Sequence, residues 1–125
     1  MPTRSRWSRP TPPAPLRTPT FLRVVAKNGA ALNAPWGMAL APASFGLFAG
    51  DLLVANSGNG QIHAYQLTGG TCKHVGVLHL ANGTPLKVPA IHGIAFGNGG
   101  TAGRLYFTAG PGKGAHGQLG YISPA

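Results

Sequence analysis

The chain has 125 residues, ten Lys and Arg against one acidic side chain (Asp51), a formal net charge of +9, one cysteine, twenty glycines and twelve prolines. A single carboxylate excludes the paired acids of glycoside hydrolysis and the acidic cage of a Ca²⁺ loop, and any Ser-His-Asp triad would have to use Asp51 itself. Cys72 is alone, so an intrachain disulfide scaffold is excluded too, and the length bounds the chain to one small domain.

Residues 1–19 hold six of the twelve prolines and four of the ten basic residues, Arg4, Arg6, Arg9 and Arg17, with no glycine. Too little apolar surface is present to offset the entropy of ordering, which predicts a disordered basic arm. The arm has the basic start of a targeting segment and lacks the continuous apolar stretch of a secretory signal. Its arginines are the candidate nucleic-acid contacts, since such an arm attracts phosphates with strong salt dependence; out-of-frame translation of a GC-rich gene gives the same composition. The uncharged run over residues 28–50 is interrupted by Asn28, Asn33, Pro35, Pro42, Ser44 and glycines. It predicts no transmembrane helix.

From Phe21 onward short apolar runs alternate with glycine-rich turns, the pattern of brief strands. Phe21–Ala26, Trp36–Ala41 and Asp51–Ala55 are the first three runs. Asn59-Gly60 suits a type I′ hairpin, so Gln61–Leu67 is expected to pair antiparallel with Asp51–Ala55. Alternation then turns Ile62 and Ala64 to one face and His63 and Tyr65 to the other. Lys73–Leu80 reads as a fourth strand and Asn82-Gly83 as the next turn, and no window carries ten residues of helical periodicity.

The pattern then restarts. Ile91–Phe96 (IHGIAF) repeats Pro35–Leu40 (PWGMAL) at an offset of 56, residues 103–109 repeat residues 50–56 at 53, and residues 117–122 repeat residues 60–65 at 57. Units of this length with four strands each are what propeller blades look like. The expected architecture is all-β: a partial β-propeller over residues 20–125 with about two four-stranded antiparallel blades, near 30–85 and 86–125.

APWGMALAP followed by GDLLVANSGNGQIHAYQL is similar to the NHL-type propeller repeat, P-x-G-I-A then G-x-[LI]-[YL]-V-A-D-x-x-N-x-[RQ]-I-x-x-[FY]. Together with IHGIAFGNGGTAGRLYFTAGPGKGAHGQLGYI it resembles the C-terminal part of an uncharacterised bacterial NHL-like propeller family, whose members often carry a PEP-CTERM sorting tail. The resemblance implies a propeller-type binding or scaffold module without catalysis, its ligand unknown. It also implies export to the cell exterior, although neither an export signal nor a sorting tail is present in this sequence. Asn56 stands where the repeat often has Asp, and Gln61 where it often has Arg. The sequence ends after what should be the third strand of its last blade. In such propellers a strand from the N-terminal end commonly supplies the fourth. The chain is therefore expected to be a truncated product, open to self-association through its blade edges.

Five histidines, His63, His74, His79, His92 and His116, show no H-x-H, HExxH or Cys-x-x-Cys spacing, so no metal site and no cofactor is expected. Surface or packing roles are the expectation for them. His92 occupies the position of Trp36 at the start of an innermost strand, where a propeller points residues at its channel or rim. Trp36, Asn56 and His92 are therefore the candidate ligand-facing residues. The glycine-rich residues 97–103 lack the Lys-Ser/Thr of a phosphate loop and read as a strand connection. Asn33, Asn56 and Asn59 could offer oxygen ligands resembling those of lactonase-type propellers. Such an enzyme, the alternative to a binding module, would need acidic ligands that this sequence does not contain.

Overall fold

The computed structural model describes residues 20, 22, 24–26 and 31–124. Seven strands follow one another: β1 (Pro35–Leu40), β2 (Leu52–Asn56), β3 (Gln61–Thr68), β4 (Thr71–Val77), β5 (Ile91–Phe96), β6 (Leu105–Ala109) and β7 (Gln118–Ile122). They form two antiparallel sheets of consecutive strands, β1-β2-β3-β4 and β5-β6-β7. Among the described residues helix is limited to 3₁₀ turns at Ala43–Phe48 and Gly99–Thr101. The all-β expectation holds. Lys73–Leu80 forms the fourth strand shifted to Thr71–Val77, whereas Leu22 and residues 24–26, the described part of the Phe21–Ala26 run, form no strand. Residues 1–19, with Arg4, Arg6, Arg9 and Arg17, lie outside the described residues.

The first three strands of the first sheet and the three strands of the second are one unit built twice. In the first, Pro35 pairs with Asn56, a bulge follows, and Met38, Ala39 and Leu40 pair with Val54, Leu53 and Leu52. In the second, Ile91 pairs with Ala109, a bulge follows at the same place, and Ile94, Ala95 and Phe96 pair with Phe107, Tyr106 and Leu105. The next pair of strands repeats as closely, from Leu52 opposite Tyr65 and Asn56 opposite Gln61 to Leu105 opposite Ile122 and Ala109 opposite Gln118. Loop hydrogen bonds repeat too. Ser57 N–H donates to Ala34 O and Ala41 N–H to Asp51 O, as Gly110 N–H does to Ala90 O and Gly97 N–H to Arg104 O. Ala34 and Ala90, each just before the first strand of its sheet, both adopt positive φ, 50° and 57°. A side chain is strained in that region, so the same unfavourable backbone has been set twice.

Directly opposed residues share a sheet face, and faces alternate along a strand. Ala39, Leu53, Ala55, Ile62 and Ala64 therefore form one face of the first sheet. Ile94, Phe96, Leu105, Phe107 and Ile122 form one face of the second. These two faces meet in the common core. As expected, Ile62 and Ala64 point into it and His63 and Tyr65 away. The 3₁₀ turn after β1 adds Phe45, whose ring meets that of Phe96 edge-on at 4.9 Å.

Gly37 sets the closeness of this packing. A Cβ there would lie 2.5 Å from His92 O and 2.8 Å from Ile94 N, so β1 and β5 touch backbone to backbone only because the side chain is absent. The β2–β3 connection differs from the expected two-residue turn. It has four residues, 57–60, closed by Gly60 N–H to Asn56 O at 2.8 Å, and within it only Gly60 takes positive φ. Asn59 instead spends its side chain on the N–H of Gln61.

Gly37→Ala is expected to lower stability by about 1–3 kcal/mol, the usual cost of overpacking. Gly100→Ala, whose Cβ would meet nothing within 4 Å, is the control. Urea unfolding of both variants checks this, and equal midpoints would contradict the close approach.

Candidate functional site

Because β1 and β5 occupy equivalent places in the repeat and lie against each other, the residues near their starts are brought to the same end of the molecule. Trp36 and His92 meet there, ring centroids 4.7 Å apart and planes at 78°, an edge-to-face contact. The indole remains exposed and the imidazole half-buried. Ala34 and Ala90, the two positive-φ alanines, precede these residues by two positions. Backbone strain thus gathers at the end where the candidate pair sits.

Asn56 is at the same end with a different use. It is fully buried at the close of β2, where its Oδ1 accepts from the N–H of Asn33 and its Nδ2 donates to Ala31 O. Its amide fastens the segment that leads into β1. Gly58 lies against Asn33 so closely that a Cβ would collide with its side chain. The structure therefore gives Asn56 a supporting place, holding the segment that leads into β1 and Trp36.

A second cluster was not legible as such in the sequence. His63 on β3 and His74 on β4 meet on the face of the first sheet that points away from the second. His63 Nδ1 lies 2.8 Å from His74 Nε2, and His63 Nε2 lies 2.8 Å from Gln61 Oε1. The Gln61 carbonyl can only accept, so Nε2 of His63 carries a hydrogen there, and neutral His63 then accepts at Nδ1 from His74. Tyr65 packs edge-on against His74 at 5.4 Å. Burial, followed by the neighbouring His74, holds His63 below its ordinary value of 6.5, while burial and then Cys72 push the Tyr65 phenol above its ordinary 10.0. A two-residue offset across a strand pair signals contact only once the register is known. Tyr65 opposite His74, with a bulge beside it, supplies that register.

Among the described residues no three His, Cys or Asp side chains converge to hold a metal ion, and no helix is long and apolar enough to cross a membrane. An apolar groove of about 640 Å³ runs between Phe45–Phe48, residues 78–81 and residues 121–124.

The chain is 38% identical over 76 residues to uncharacterized protein L690 of Acanthamoeba polyphaga mimivirus, covering 61% of this chain and 19% of that one. It is 36% identical over 76 residues to uncharacterized protein R648 of the same virus, covering 61% of this chain and 18% of the relative. With uncharacterized protein R640 it shares 36% over 74 residues, 59% of this chain and 13% of the other. The chain thus spans less than a fifth of each of these relatives, and they are viral where the sequence resemblance pointed to bacteria. No family model and no solved structure matches.

His63 binds protons more weakly folded than unfolded, so its contribution to stability is present above the ordinary value of 6.5 and is lost as pH falls through it. The thermal midpoint is expected to drop from pH 8 to pH 5, and to drop less in His63→Gln. An identical pH dependence in the two proteins would contradict this assignment.

Proposed function

We propose that the chain is a pair of consecutive β-propeller blades acting as a non-catalytic binding or scaffold module, with Trp36 and His92 at its ligand-facing end. The observation that carries this reading is the double use of one unit, with strand register, bulge, loop hydrogen bonds and strained alanine all repeated. Propeller blades are small antiparallel sheets of consecutive strands stacked face to face, and two such sheets sharing one core support this reading. The NHL-like motif and exported placement belong to the same reading. The fourth strand of the second blade, beside β7, would lie over the apolar groove lined by Phe48, Leu78 and Ile122.

An exposed indole, edge-on to an imidazole and carried on rigid inner strands, offers an apolar ring face and a hydrogen-bonding rim. That pairing suits binding better than turnover. In the resemblance to lactonase-type propellers the metal would rest on acidic ligands, and Asp51 is the one such side chain in this sequence.

The test is a double-mutant cycle between Phe45 and Phe96, which lie in different blades and touch only if the blades stack. A coupling of about 0.5–1.5 kcal/mol is expected for an edge-to-face pair, and strict additivity would remove the stacked-blade reading. A simple γ-lactone supplied with millimolar Ca²⁺ is expected to hydrolyse at the background rate. Turnover above background would replace the binding module with a hydrolase.

A further inference from the structure

Within the chain the first sheet offers one face and the second offers the opposite one. The repeat offsets make this explicit. Ile94, Phe96, Leu105, Phe107 and Ile122, the face of the second sheet in the core, correspond to Met38, Leu40, Leu52, Val54 and Tyr65 of the first. Ala39, Leu53, Ala55, Ile62 and Ala64, the buried face of the first sheet, correspond to Ala95, Tyr106, Thr108, Leu119 and Tyr121 of the second. Each sheet is left with the counterpart of a face that is packed in its neighbour.

Each of these faces carries exposed apolar side chains, although on the first Leu52 and Val54 are half-buried and Tyr65 is buried. Met38 and Leu40 are 69% and 64% exposed on one, and Leu119 and Tyr121 are 77% and 53% exposed on the other. On the second, a recess of about 310 Å³ is lined by Gly93, Ala95, Tyr106, Thr108 and Leu119 among others. Arg104 lies over the Tyr121 ring at 4.5 Å, a cationic edge to this face.

Glycine marks the docking register. Gly37 admits the backbone of residues 92–94 against β1. Its counterpart is Gly93, which is exposed and whose Cβ would meet only Thr108 Oγ1 of its own sheet, at 3.1 Å. By the same offset, the segment that would press on Gly93 is equivalent to residues 36–38. In this chain that segment is Trp36-Gly37-Met38, with both large side chains exposed.

We propose that a second copy of this chain docks head to tail, its Met38 and Leu40 face seated on the Gly93, Tyr106 and Leu119 face of the first. The contact continues the one already made between β1 and β5. It is heterologous, so it propagates until a ring closes, and propellers of about four to eight blades correspond to two to four copies. The inference rests on the equivalence of the two sheets in the stacked-blade reading.

Sedimentation velocity on the full chain over a concentration series tests it. The wild type is expected to run as a small closed multiple of the monomer. Met38→Asp and Leu119→Asp change exposed positions on opposite faces, so each is expected to be monomeric with an unchanged β-sheet circular dichroism spectrum. Mixed together, they retain one compatible pair of faces and are expected to form a dimer and nothing larger. A wild-type monomer at high micromolar concentration would overturn the proposal and leave the faces to a different polypeptide. An oligomer indifferent to both substitutions would overturn it as well. Neither result touches the Phe45–Phe96 coupling, whose loss would instead remove the stacked-blade reading.

Discussion

The approach of β5 to β1 at Gly37, backbone against backbone, is the contact on which the rest of the molecule depends. It brings β1 and β5 close enough for Ala39, Leu53 and Ala64 to share one core with Ile94, Leu105 and Phe107. Small residues on one side and large ones on the other suit that spacing, since a face of alanines against phenylalanine and leucine fills the same volume as two faces of middling size. The same approach puts Trp36 beside His92. With one carboxylate in the sequence, charge pairing has little to contribute, and apolar burial and hydrogen-bonded loops carry the fold.

Much of this architecture is legible in the residues. Alternation in Gln61–Leu67, the turn glycines and the self-similarity of Pro35–Leu40 and Ile91–Phe96 point to two copies of a strand unit, and the offsets of 56, 53 and 57 carry over unchanged into strand register. Those features are local, set by the pleat and by turn chemistry. What escapes the sequence is decided between elements. Phe21–Ala26 has strand composition, yet Leu22 and residues 24–26, its described part, form no strand. Asn59-Gly60 has the residues of a tight turn, but Asn59 bonds forward to Gln61 and the loop widens to four residues.

The candidate site shows the same division. Trp36 and His92 are found by their equivalent places in the repeat, and they do meet. Asn56 is marked by the same repeat, but its amide is consumed by Ala31 and Asn33, contacts to an irregular segment that no periodicity announces. The His63–His74 pair depends on a bulge that resets the pairing of β3 with β4. A buried imidazole whose proton affinity is lowered there joins two strands on a face that also carries Gln61 and His74, and it makes that face sensitive to acid.

The most direct measurement is the proton contact between β1 and β5 in solution, read as nuclear Overhauser effects on isotopically labelled protein. The account predicts cross-peaks linking the Gly37 α-protons to the amide of Ile94, atoms that the close approach places within about 5 Å of each other. If Gly37 shows contacts only within its own sheet, the two units do not pack through β1 and β5, and both the shared core and the head-to-tail docking that extends the same contact would be wrong.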